Sequence, residues 1–177
     1  MSEVVALADY DPRWTISFAI ERAALLTCFD PPPLAIEHIG STAIPSLSAK
    51  PVIDILIHMN DRARAQAAVP AIEALGYANV PNYTDPNRLV LIKRLPDGMR
   101  THHVHVHSDA DEVRRHLIFR DRLRDDPKVR EEYEVLKRSL AARFETDRNA
   151  YSRHKTAFID AIVLGMGGPA RKTPWNP

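Results

Sequence analysis

Apolar positions change their period along this chain, and each change predicts an element. After Asp11-Pro12, residues Trp14, Phe18, Leu25 and Phe29 recur on roughly one helical face until the stop "DPPP". That spacing, with Asp11 as cap and a first-turn proline, predicts an amphipathic helix. Two apolar runs follow, "LAIEHI" and "KPVIDILIHM". The second is so continuously apolar that it predicts a strand buried on both faces. An Ala-rich stretch opened by Asp61 and stopped by Gly76 predicts a helix kinked or broken at Pro70. The segment "ANVPNYTDPN" reads as a loop. "RLVLIKRL" and "THHVHVHS", joined by "PDGMR", then predict a β-hairpin. From Ala110 the period is helical, predicting helices over 110–124, 127–144 and 147–164, the second and third started by Asp126-Pro127 and Asp147. The closing "GMGGPARKTPWNP" has no period and predicts a flexible tail.

These elements make an α/β (α+β) chain. One domain over 1–164 is expected, with a sheet part at about 30–108, a helical lobe at about 110–164 and a tail at 165–177. Composition agrees with a single core: 45% of the 177 residues are hydrophobic. The 24 basic and 23 acidic residues leave a net charge of +1, so no global field draws the protein to nucleic acid or a membrane. Any basic site must be local. The lone Cys28 falls among Leu25, Leu26 and Phe29 and reads as a small core residue. Without a membrane-length apolar run or a basic-then-apolar leader, a cytoplasmic location is expected.

Chemistry gathers in three places. The first is "HIGSTAIPSLSAKPVIDILI", where Asp54 sits inside an apolar strand. A carboxylate there is costly unless it is paired, hydrogen-bonded or bound to a cation. Upstream, Gly40, Ser41 and Thr42 form a turn that can offer backbone N–H groups and a hydroxyl to phosphate oxygens. Lys50 enters the Asp54 strand beside a proline and is a candidate counter-charge. His38 could orient the turn.

The second place is "THHVHVH". Strand alternation puts Thr101, His103, His105 and His107 on one face and His102, Val104 and Val106 on the other. His103 and His105 are therefore candidate companions of Asp54 at a divalent metal or phosphate site. The third place is cationic: Lys93 and Arg100 around the hairpin, and Arg120 and Arg124 at i, i+4 spacing on one helix face. Asp54 is expected to face a cleft with Val52 and Ile53 packed away from it, above a lobe core of Phe119, Leu123, Tyr133 and Leu136.

The strand, Gly-Ser turn and Asp-bearing apolar strand resemble the nucleotidyltransferase superfamily. More closely, "HIGST", "AKP" and "IDI", followed by "RTHHVHV", "FRDRLRDDP", "EYEVLK" and the spacing of Tyr151, Lys155 and Phe158, resemble the GrpB-like family within it. The resemblance implies a nucleotidyltransferase-like mixed, mainly antiparallel sheet with flanking helices. It also implies a nucleotide or phosphorylated small molecule as ligand. Asp54, Ser41 and Lys50 would be catalytic, with Mg²⁺ the first expectation and Zn²⁺ or Mn²⁺ the alternatives. In active members a second carboxylate stands two positions after the first; here it is Leu56. Three readings follow: transfer of a nucleotidyl group to a small acceptor, a non-catalytic nucleotide- or coenzyme A-related module, and a His-metal phosphohydrolase.

Overall fold

The computed structural model describes residues 5–80, 85 and 87–172. Helix α1 (Arg13–Leu26) begins where the Asp11 carboxylate accepts the Arg13 N–H, and it buries Trp14 and Leu25. Strand β1 (Ala35–Ile39) leads through a 3₁₀ turn (Ser41–Ala43) and a loop into β2 (Ile53–His58). The Ala-rich segment is broken at Ala68, just before Pro70, into α2 (Arg62–Ala67) and α3 (Val69–Ala74). Strands β3 (Tyr77–Val80), β4 (Arg88–Arg94) and β5 (Arg100–His107) complete a five-stranded sheet of order β1-β2-β5-β4-β3.

Every neighbouring pair is antiparallel except β2 and β5. That parallel pair occupies the sheet's centre. It sets Asp54 opposite His103 and Leu56 opposite His105. One face of the sheet carries Ile53, Ile55, Ile57, Leu91, Val104 and Val106 into a core with Trp14, Leu25 and Ile72 from α1 and α3. Cys28 packs against this core, and burial pushes its thiol up.

The other face holds Asp54 and the histidines and is covered by the helical lobe. Helix α4 (Ala110–Asp125) lays Val113 and Leu117 over Ile39 and Leu56. Helix α5 (Pro127–Arg143) starts at Asp126, whose side chain accepts from the Lys128 and Val129 N–H groups. Phe119, Leu123, Tyr133 and Leu136 pack together as expected, joined by Phe158 and by Ile44 and Leu47 of the loop after the 3₁₀ turn. Lobe and sheet therefore share a core, and the turn is clamped between them.

Three expectations are revised. The segment read as a loop from Ala78 is a strand as far as Val80: β3 is an edge strand burying only Tyr77, so it shows little alternation. The remainder of that expected loop, 81–84 and 86, lies outside the described residues. The helix expected over 147–164 is two, α6 (Arg148–His154) and α7 (Thr156–Gly165), broken at Lys155. There the N–H of Lys155 bonds to the Ser152 carbonyl, one residue short of the α-helical partner. The stretch read as a tail is tied back through 172. Arg171 pairs with Asp160 at 2.9 Å and Lys172 with Asp109 and Asp111 at 2.9 and 2.7 Å. No helix among the described residues is long and apolar enough to cross a membrane.

Candidate functional site

The site is built where the ends of β1, β2 and β5 meet the 3₁₀ turn. Asp54 Oδ1 lies 3.1 Å from His103 Nδ1 and 3.6 Å from His105 Nε2. One donor atom from each of the three residues falls within 4.8 Å of the others, the spacing of a metal-ligand group. Burial would raise the Asp54 carboxyl. Hydrogen bonds from His103 and then His105 outweigh burial and hold it well below the usual carboxylate range.

Arg88, opening β4, reaches His105 from the other side, with Nη2 3.1 Å from Nδ1. A guanidinium only donates, so Nδ1 accepts and Nε2 carries the proton facing Asp54. Burial, only partly opposed by the Asp54 hydrogen bond, pushes the His105 ring down to about 4. His105 is therefore a neutral donor near pH 7.

Gly40 closes the turn over this carboxylate. Its φ of 69° and ψ of −172° belong to a region that essentially only glycine occupies. A Cβ there would collide with Asp54 Oδ2 and stand 3.1 Å from Asp54 Cβ. Gly40→Ala is thus expected to cost about 1–3 kcal/mol in backbone strain and to displace the turn from Asp54. Urea denaturation together with a metal titration checks this; a variant with wild-type stability and metal response would contradict it.

Neighbouring side chains hold the turn. Thr42 donates to the Val52 carbonyl at 3.3 Å, so His38 Nε2 must donate to Thr42 Oγ1 at 3.0 Å. His38 stacks on Phe18, and burial pushes it down to about 4. Arg120 donates to Glu37 at 2.7 Å and to the His38 carbonyl at 3.1 Å. Arg124 donates to the Ala43 carbonyl at 2.9 Å.

Two cavities share Asp54 in their lining. The outer one, about 210 Å³, is lined by Ser41, Thr42, Lys50, Arg148 and Lys155 among others. The inner one, about 290 Å³, runs under α4 and α7 past Phe119, Tyr133, Ile159, Glu112 and His116. Ser41, Asp54, Arg88, His105, Ser152 and Lys155 line both. The Lys155 ammonium lies over the Tyr151 ring, 4.2 Å from its centroid. Burial, reinforced by Lys50, pushes Lys155 down to about 7.

Similarity to known proteins places the chain in a family. Residues 4–164 match the family described as GrpB protein. The chain belongs to the GrpB family. It is 41% identical to a UPF0157 protein of Pseudomonas aeruginosa over 166 residues, which is 93% of this chain and 68% of that one. The crystal structure of the conserved protein GrpB from Enterococcus faecalis matches with a TM-score of 0.80 at 34% identity, covering 89% of this chain and 94% of that one. A dephospho-CoA kinase of Mycolicibacterium paratuberculosis is 28% identical over 98% of this chain, which spans 48% of the kinase's length.

In this GrpB chain the structure gathers most of the expected site residues but not all. Gly40, Ser41, Lys50, Asp54, His103 and His105 converge on the two cavities. Thr42 and Arg124 are spent on the turn itself, and Arg120 lines the inner cavity while engaged by Glu37 and Asp121. Lys93 and Arg100 are not brought in. Lys93 lies against the opposite helical layer, paired with Glu21 of α1 at 2.6 Å, because strand parity puts it on the face of Tyr77 and His102. Arg100 shares the parity of His102 and lines neither cavity. Val52, expected to pack away from the cleft, lines the outer cavity, whereas Ile53 does enter the core.

Arg88, Glu112 and His116 were not expected from the sequence. Each stands at a distance along the chain from the motif it serves. Only Lys155 carried a signal, its spacing from Tyr151 and Phe158.

Proposed function

We propose that the paired cavities bind a nucleotide or a related phosphorylated small molecule together with a divalent cation. One observation carries this reading: the Gly40–Ser41 turn closes over a carboxylate that already meets two imidazoles, beside the cationic outer cavity. Phosphate fits the outer cavity because Lys50, Arg88, Arg148 and Lys155 line it against a single carboxylate, Asp54. Asp54 and His103 fit a cation by their donor atoms, and His105 would join them through Nε2 once Arg88 releases Nδ1 to take the ring proton. His103 Nε2 is buried without a hydrogen-bond partner, and two imidazoles with one carboxylate suit Zn²⁺ or Mn²⁺ better than Mg²⁺. A bound cation would neutralise phosphate charge.

A second reading, transfer of a nucleotidyl group to a small acceptor, uses the same residues. Leu56 favours binding without turnover: it is fully buried beneath α4 where active superfamily members place a second carboxylate. Coenzyme A precursors belong among the ligands to test, given the dephospho-CoA kinase relative.

Calorimetry and thermal denaturation with Zn²⁺ or Mn²⁺ and ATP, GTP or dephospho-CoA test the proposal. A ligand at one hundred times its dissociation constant should stabilise the fold by about 2.7 kcal/mol, raising Tm by roughly 5 to 10 °C. Asp54→Asn should remove the metal-dependent part of that rise. Arg88→Gln should tighten metal binding about tenfold, since a glutamine oxygen can accept the His105 Nδ1 proton and free Nε2 to ligate. Pyrophosphate release with an added acceptor identifies transfer, and phosphate release from a monoester identifies hydrolysis. No Tm response to any of these ligands would refute the binding reading.

A further inference from the structure

The inner cavity contains more polar groups than phosphate binding uses. Glu112, in the first turn of α4, is buried, with 8% of its surface exposed. Its Oε2 lies 3.6 Å from Arg115 Nε, but its Oε1 has no hydrogen-bond partner. Arg115 cannot turn to satisfy it, because its other nitrogens are held by Asp160 and by the Pro169 carbonyl. His107, 2% exposed on the same wall, has both ring nitrogens without partners. A buried carboxylate oxygen left unpaired carries its desolvation cost uncompensated. Such a group inside a cavity indicates a missing donor.

The two cavities also differ in charge. Asp54 lines both. The outer one has no other carboxylate against Lys50, Arg88, Arg148 and Lys155, whereas the inner one adds Asp85 and Glu112 against Arg88, Arg115, Arg120, Lys155 and Arg171, beside Ile39, Phe119, Tyr133 and Ile159. Arg115, Arg120 and Arg171 are each paired with carboxylates, so Glu112 Oε1 is an open acceptor there, and the aromatic and aliphatic wall suits a flat or compact organic group. At about 290 Å³ the inner cavity reaches the lower end of ligand-pocket sizes, roughly 300 Å³.

We infer that the inner cavity receives a nitrogen-bearing organic group whose N–H donates to Glu112 Oε1 while a phosphate occupies the outer cavity. This rests on the phosphate-binding reading above and adds the chemistry of what lies beyond the phosphate. The N–H group has two sources: the base of the bound nucleotide, guanine above all because adjacent N–H groups can face one carboxylate, or a separate amine beside the phosphate.

Calorimetry on the full chain with Mn²⁺ tests this using inorganic triphosphate, GTP, ATP, and triphosphate with methylamine. The same series is repeated on Glu112→Gln, with circular dichroism as the folding control. Expected is at least a tenfold gain over triphosphate for one N–H-bearing probe, lost in Glu112→Gln while triphosphate affinity is unchanged. A gain with GTP or ATP identifies the base as the source, and a gain only with methylamine identifies a separate amine. If triphosphate binds but no probe gains, or the gain survives in Glu112→Gln, the inner-cavity inference is overturned and the phosphate reading stands. If triphosphate does not bind, both fall. Should Glu112→Gln misfold, Glu112→Asp, which shortens the reach and keeps the charge, must lose the gain in its place.

Discussion

Leu56→Asp is expected to destabilise the fold by roughly 3–5 kcal/mol and to create no second metal ligand. The sequence alone invites the expectation of stronger metal binding, because the substitution restores the carboxylate spacing of active nucleotidyltransferases. Leu56 does share the face of Asp54, but it lies one step further along β2, fully buried between Glu37 of β1 and His105 of β5. Val113 and Leu117 of α4 seal it from the cleft. A charge placed there meets the apolar side chains of α4, and the arginine beside it, Arg120, is already engaged by Glu37 and Asp121, so the desolvation penalty is poorly compensated. Urea denaturation and a Mn²⁺ titration decide the matter. Stability within about 1 kcal/mol of wild type combined with tighter metal binding would mean that α4 yields and the second position is usable.

Acid should begin to destabilise the protein well above the pH at which its carboxylates titrate. Burial pushes His38 and His105 down to about 4 and His116 to about 3, and it lowers His107 as well. In the unfolded chain each would titrate near its ordinary value of 6.5. As pH falls below 6.5, the unfolded state takes up protons that the folded state refuses. Stability therefore declines from about pH 6.5 until each folded value is passed. At pH 5 the loss is on the order of 2 kcal/mol per histidine. Summed over three or more such groups, that is comparable to a typical domain stability of about 5–15 kcal/mol. Asp54 adds nothing in this window, because its lowered carboxyl stays charged in both states until pH falls below its ordinary 3.8. Circular dichroism from pH 7 to 4 should show cooperative unfolding with a midpoint between about pH 4 and 5.5. His38→Gln, which retains a donor for Thr42, should move that midpoint downward. A chain equally stable at pH 7 and 4.5 would show that water reaches these rings.

Much of this protein is written in local pattern. The helix after Pro12, the β4–β5 hairpin, the caps at Asp61, Asp126 and Asp147, and the break near Pro70 follow from residues within a few positions of one another. Strand parity within β5 likewise puts His103 and His105 on one face, and an aspartate inside an apolar strand calls for a partner, but Asp54 meets them only through strand pairing, His103 lying 49 residues away. What tertiary structure alone decided depends on elements distant in sequence. The parallel β2–β5 pairing brought Asp54 to His103 and His105, and the β4–β5 register set Lys93 opposite His102, on the face away from them. The docking of α4 buried Leu56 and brought Glu112 and His116 to the cavity, while β4 delivered Arg88 to His105. The helix break at Lys155 has no glycine or proline to announce it, yet it places a buried lysine on the wall between two cavities. Local sequence fixes dihedrals and faces, but which face meets which depends on burying apolar area across the whole chain.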